Sequence, residues 1–188
     1  GEQALLTAGC GQMHRFYDLP GGAPAGATDS KMPDMQAGWE QMCSNVMAGL
    51  SGVNMVYEAA GMHASLLGFC HESLILGDDI IGQALRCVRG VEVNDETMAL
   101  DQIAEVCMGG PGHYLGTDQT LARMQTDCVY PTFGNRMSPK EWAEKDKPDL
   151  IENAIARKEE ILSHRSKAQL DPVLDAAIRE RFNIYLPT

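Results

Sequence analysis

Three short stretches of this 188-residue sequence carry side chains able to take part in chemistry. Tyr57 and Glu58 follow an apolar run, Phe69, Cys70, His71 and Glu72 close a glycine-punctuated segment, and Asp29 and Lys31 lie among turn-forming residues. An aromatic face attracts an alkylammonium by roughly 0.5–2 kcal/mol and offers it no hydrogen-bond acceptor, and a carboxylate nearby adds opposite charge. Plainer readings stand beside these. Tyr57 also fits a core-filling ring and Glu58 a cap for a neighbouring helix, His71 can satisfy local backbone groups, and an Asp after Thr in a turn commonly bonds its own backbone. Cys70 beside His71 invites zinc, but no second ligand follows at helical or knuckle spacing, so no metal site is expected.

The elements that must hold these residues follow from periodicity. A loosely apolar helix is expected over 2–17, ended by the glycines and prolines of 20–26, where only an irregular path or a very short strand fits. Over 34–50 the apolar residues Met35, Trp39, Met42, Cys43, Val46, Met47 and Leu50 recur at spacings of three and four, which predicts a helix with that stripe in the core. The run 53–57 reads as a buried strand and 59–69 as a loop. A second strong helix is expected over 73–89 with Gly90 as a left-handed cap. A third follows from Asn94 or Asp95, burying Met98, Ala99, Ile103, Val106 and Cys107. Shorter helices are expected after Thr117 and at Ser138-Pro139-Lys140-Glu141, where a capping box meets a first-turn proline, and two amphipathic ones near 148–164 and from Asp171-Pro172.

Composition narrows the function classes. A net charge of -11 spread along the chain leaves no basic face for phosphates, so nucleic acid is not an expected partner. No apolar stretch approaches the roughly 20 residues needed to span a bilayer, and a soluble, cytoplasmic protein with no membrane partner is expected. The six cysteines stand too far apart for a zinc or disulfide framework and read as buried or half-buried free thiols.

Helix, glycine-proline loop, helix, strand, loop and helix make alternating α/β units with too few strands to close a sheet. A (β/α)8 barrel takes about 250 residues, so this length holds only part of one. Ala27-Thr28-Asp29-Ser30-Lys31, Asp34-Met35-Gln36-Ala37-Gly38-Trp39-Glu40, Asn54-Met55-Val56-Tyr57 with Ala60-Gly61, Asp95-Glu96, Ala99-Leu100-Asp101, Ile103-Ala104-Glu105-Val106 and 109–115 with Thr120-Leu121 keep order and spacing. Together they resemble successive blocks of the trimethylamine methyltransferase family, over nearly the whole chain.

That resemblance implies an α/β fold: the C-terminal part of a (β/α)8 TIM barrel, helix-rich, with few strands and extra C-terminal helices. A partial barrel over 1–137 and a helical extension over 138–188 are expected. The implied reaction moves a methyl group from a tertiary or quaternary amine to Co(I) of a corrinoid carried by a partner protein, with no cofactor bound directly by this chain. Tyr57 and Glu58 are then the candidate catalytic residues, at the strand end where barrel active sites are built. His71, Phe69, Asp29 and Lys31 are the candidate substrate-binding residues, with His71 bonding a substrate carboxylate and Phe69 packing on methyl groups. Some members encode pyrrolysine; this sequence has only standard residues, with Ala27 at the expected place, which resembles the branch acting on quaternary amines such as glycine betaine. The competing reading is a non-catalytic helical docking or oligomerisation module. An unclosed sheet with open edges predicts a homo-oligomer under either reading.

Overall fold

Asp34 shows how local chemistry sets the first long element: its carboxylate accepts the Ala37 amide hydrogen at 3.0 Å and starts helix α2 (Met35–Ser51), which Gly52 ends in a left-handed conformation. In the computed structural model, which describes residues 1–164 and 170–185, α2 links two parallel strands, β1 (Gly22–Pro24) and β2 (Met55–Tyr57). Helix α1 (Glu2–Phe16) precedes them and packs on α2 and β1. The register pairs Gly22 with Met55, Ala23 with Val56 and Pro24 with Tyr57, making a β-α-β unit of the α/β class.

A hairpin of β3 (Met62–His63) and β4 (Gly68–Phe69) leads into α3 (His71–Arg89). Six helices follow: α4 (Asp95–Met98), α5 (Leu100–Cys107), α6 (Asp118–Asp127), α7 (Pro139–Glu144), α8 (Leu150–Ser163) and α9 (Pro172–Arg181). The described chain is therefore helix-rich with four short strands in two separate pairs. Helix α3 packs between α2 and α8, so α8 of the expected helical extension docks on the earlier part of the chain. Positions 165–169 and 186–188 of that extension lie outside the described residues.

Several sequence expectations are corrected. The apolar stripe of α2 does not face the core, since Met35 is 80% and Trp39 58% exposed. The buried face instead carries Ala37, Gln41, Ser44, Asn45, Ala48 and Ser51. The reason is hydrogen bonding: Ser44 Oγ accepts from Gly26 N at 2.9 Å, and Asn45 Nδ2 donates to the Ala59 carbonyl at 3.0 Å. Loop backbone that has no strand partner is thus satisfied by short polar side chains. Strand β2 is not buried either, because β1 is its sole neighbour among the described strands; Tyr57 is 43% exposed.

The stretch 59–69 forms a hairpin rather than a loop. The expected third helix breaks at Ala99, whose φ of 46° separates α4 from α5, and of its five expected core residues only Val106 is buried. Gly90 ends α3 with φ 68° but ψ −154°, outside the left-handed helical region. Five of the six cysteines are exposed and Cys70 is half-buried, which reverses the buried-thiol expectation. Among the described residues no helix is long and apolar enough to cross a membrane.

Candidate functional site

Because β1 and β2 run parallel, the loops leaving their C-terminal ends emerge on the same side. That is the side on which open α/β sheets place their ligands. The first loop passes through Gly26, at φ 71°, where a Cβ would collide with the Ala59 backbone of the second loop. Only glycine permits this approach.

Beyond Gly26 the first loop is fastened twice. The Glu40 carboxylate of α2 accepts from Thr28 Oγ1 at 2.5 Å and from Asp29 N at 2.8 Å, and the Thr28 hydroxyl above all holds this carboxyl below the usual range. On the other side the hairpin tip lies along the loop: Thr28 N donates to the Met62 carbonyl, Ala64 N to that of Ser30 and Ser65 N to that of Thr28. Ala64, Ser65 and Leu66 at this tip take φ values of 51°, 56° and 70°.

Asp29 does not bond its own backbone as the plainer reading has it; its Oδ1 accepts from Ser65 Oγ of the hairpin at 2.5 Å. Lys31 is exposed and donates from Nζ to the Asp29 carbonyl at 2.7 Å. Asp29 also lines a cavity of about 300 Å3 with Ala27, Glu40 and Ser65.

The second loop begins at Glu58, exposed and at φ 63°. The ring of Tyr57 lies over Gly22 of the neighbouring strand. At the far end of the hairpin the Phe69 ring meets the His71 imidazole edge to face, with centroids 5.2 Å apart. Phe69 is 53% exposed and His71, the first residue of α3, is exposed as well. The structure thus joins Phe69 to His71 and Lys31 to the Asp29 backbone. No hydrogen bond, ion pair or ring contact joins Tyr57 or Glu58 to His71 among the described residues.

Sequence reasoning passed over three groups here: Glu40, His63 and Lys158, the partner of Glu72. Glu40 sits on α2 with nothing in its spacing to mark it. His63 is buried between Ser30 and Ser73, again without a spacing signal. Glu72 meets Lys158 of α8 at 2.9 Å, and the lysine's hydrogen bond is the first reason its carboxyl is held down to about 2. Cys70 Sγ also donates to Glu72, at 3.3 Å. No cluster of three or more His, Cys, Asp or Glu is placed to hold a metal among the described residues.

Larger cavities lie elsewhere. One of about 750 Å3 is ringed by Arg86, Arg89 and Arg123, but Arg86 and Arg89 donate to the carbonyls of Asp127 and Thr126 at the end of α6, and Arg123 faces Glu96. These arginines close a helix end. Another, of about 620 Å3, is an apolar groove where Trp39, Met42, Leu76, Ile80 and Ile151 converge from α2, α3 and α8.

The family model described as Trimethylamine methyltransferase (MTTB) matches residues 1–184. This chain belongs to the trimethylamine methyltransferase family. Among its curated relatives, a glycine betaine methyltransferase of Desulfitobacterium hafniense (strain Y51) is 34% identical over 178 residues, covering 95% of this chain and 36% of that protein. Trimethylamine methyltransferase MttB of Desulfitobacterium hafniense (strain DSM 10664 / DCB-2) is 28% identical, over 95% of this chain and 35% of its own length. The protein of the same name from Methanosarcina barkeri (strain Fusaro / DSM 804) is 30% identical, over 90% and 34%. The chain spans about a third of the length of these trimethylamine methyltransferase family relatives.

Proposed function

We propose that this chain is the C-terminal part of a corrinoid-dependent methyltransferase acting on a quaternary amine of the glycine betaine kind. Residues 1–137 would then contribute strand–helix units to a (β/α)8 barrel and 138–188 its helical extension, acting in the cytoplasm. The observation that carries the reading is the family match over residues 1–184, supported by two parallel strands with Asp29 on the loop after the first and Tyr57 and Glu58 at the end of the second. Standard residues throughout, Ala27 included, and 34% identity to a glycine betaine methyltransferase favour a quaternary amine over trimethylamine.

The corrinoid, carried by a partner protein, supplies the cobalt nucleophile. The chain's own residues hold the amine. A quaternary nitrogen bears positive charge without a proton, so its substrate is held by faces that attract charge without donating hydrogen bonds. Tyr57 and Phe69 are exposed rings of that kind, and the Glu58 carboxylate supplies the counter-charge. His71 bonds the carboxylate of a betaine, while Asp29 and Lys31 set the edge of the first loop. When the carbon–nitrogen bond breaks, the departing amine keeps the bonding pair and leaves neutral, so no general acid is required. From free-base trimethylamine the departing group would be the dimethylamide anion, so that substrate needs a proton on nitrogen first.

The test is titration of glycine betaine and of trimethylamine into the intact protein and its His71→Ala variant. Affinity for glycine betaine is expected to fall about tenfold or more, as loss of a charge-assisted hydrogen bond does, with trimethylamine unaffected. Unchanged glycine betaine affinity removes His71 from the site.

The exposed stripe of Met35, Trp39 and Leu50 favours a second property, self-association. A docking or oligomerisation role for this segment is compatible with catalysis by the whole protein.

A further inference from the structure

His63 is 3% exposed and has no part in the reaction just described. Both ring nitrogens are engaged: Nδ1 lies 3.1 Å from the Ser30 carbonyl oxygen and Nε2 2.6 Å from Ser73 Oγ. A carbonyl can only accept, so Nδ1 carries the hydrogen, and in the neutral ring Nε2 accepts from the Ser73 hydroxyl. The tautomer is set by its surroundings.

The two partners belong to different elements. Ser30 sits between Asp29 and Lys31 on the first strand-end loop, and Ser73 stands two residues after His71 in the first turn of α3. Both serines are themselves buried. One rigid ring therefore links the segments that carry the two groups of candidate substrate residues, with Phe69 held against His71.

We propose that His63 is a positioning residue of the amine site, fixing the Asp29–Lys31 loop relative to the His71–Phe69 pair. This rests on the reading of the site given under Proposed function. A histidine that only fills space would, on removal, lower the fraction of folded protein and with it the apparent kcat, leaving KM where it was. A positioning role moves KM, because the folded molecules hold the substrate differently.

The measurement is steady-state methyl transfer from glycine betaine to Co(I) cobalamin by the intact protein, followed for Ser73→Ala, His63→Asn, His63→Gln and His63→Leu. Asn retains a donor on the Ser30 side and Gln an acceptor able to reach toward Ser73. KM is expected to rise about tenfold in His63→Leu and about threefold in Ser73→Ala, with Asn and Gln between, in line with one or two lost buried hydrogen bonds. Should His63→Leu be insoluble, the Ser73→Ala and Asn results decide. Unchanged KM across the soluble variants overturns this inference while leaving the proposed activity intact. Absence of transfer by the unaltered protein overturns both.

Discussion

The Glu72 carboxylate at the start of α3 lies 2.9 Å from the Lys158 ammonium on α8, joining residues 86 positions apart. It is the ion pair that fastens the late helix beside the residues assigned to substrate.

The pair makes stability depend on pH in a defined direction. The Glu72 carboxyl is held at about 2, below its ordinary 4.5, chiefly by the hydrogen bond from Lys158. A carboxyl depressed on folding contributes stability that is complete above 4.5 and disappears as pH falls toward about 2. Lys158 is raised above its ordinary 10.5 by the same bond, so its share is complete below 10.5 and fades above it. Thermal melts of wild type and Glu72→Gln are expected to differ most between those limits and to converge in acid. A difference that persists at pH 2 contradicts the assignment.

Gly26→Ala tests the approach of the two strand-end loops. The new methyl would meet the Ala59 backbone and the residue would keep φ 71°. Overpacking and the left-handed angle together are expected to cost about 2–3 kcal/mol, read as a lower denaturant midpoint. A loss below about 0.5 kcal/mol, the range of ordinary surface changes, means the loops relax apart freely.

Trp39→Glu tests the exposed apolar residues of α2, of which Trp39 also lines the groove shared with α3 and α8. The chain is expected to sediment as a dimer or larger at micromolar concentration, and the charge, placed on a residue 58% exposed, to shift it toward monomer without lowering its melting temperature. A compact monomer before substitution removes the self-association reading.

Periodicity located most elements because caps and breakers are local. Thr117, Ser138 and Asp171 each start the helix that follows, as their positions indicate, and Asp34 and Asp149, not singled out as caps from the sequence, do the same. Which face of α2 turns inward was not legible, because the stripe of Met35 and Trp39 is the stronger apolar signal. The inward face is chosen by what Ser44 and Asn45 can bond on loops far away in sequence. His63 was invisible for the same reason: its partners lie 33 positions before it and 10 after. Tyr57, Phe69 and His71 were recognisable as residue types, but edge-to-face stacking of Phe69 on His71 depends on how the hairpin delivers its last residue into α3.

The hairpin tip has a further consequence. Ala64, Ser65 and Leu66 sit in succession at angles that L-residues adopt at a cost of about 1–2 kcal/mol each. Two of their amides rest on the carbonyls of Thr28 and Ser30, and those bonds offset the penalty. Neither segment keeps its shape alone, so the tip and the rail beneath it melt or order as a single cooperative patch. Lengthening one without the other would uncouple a template from its cast.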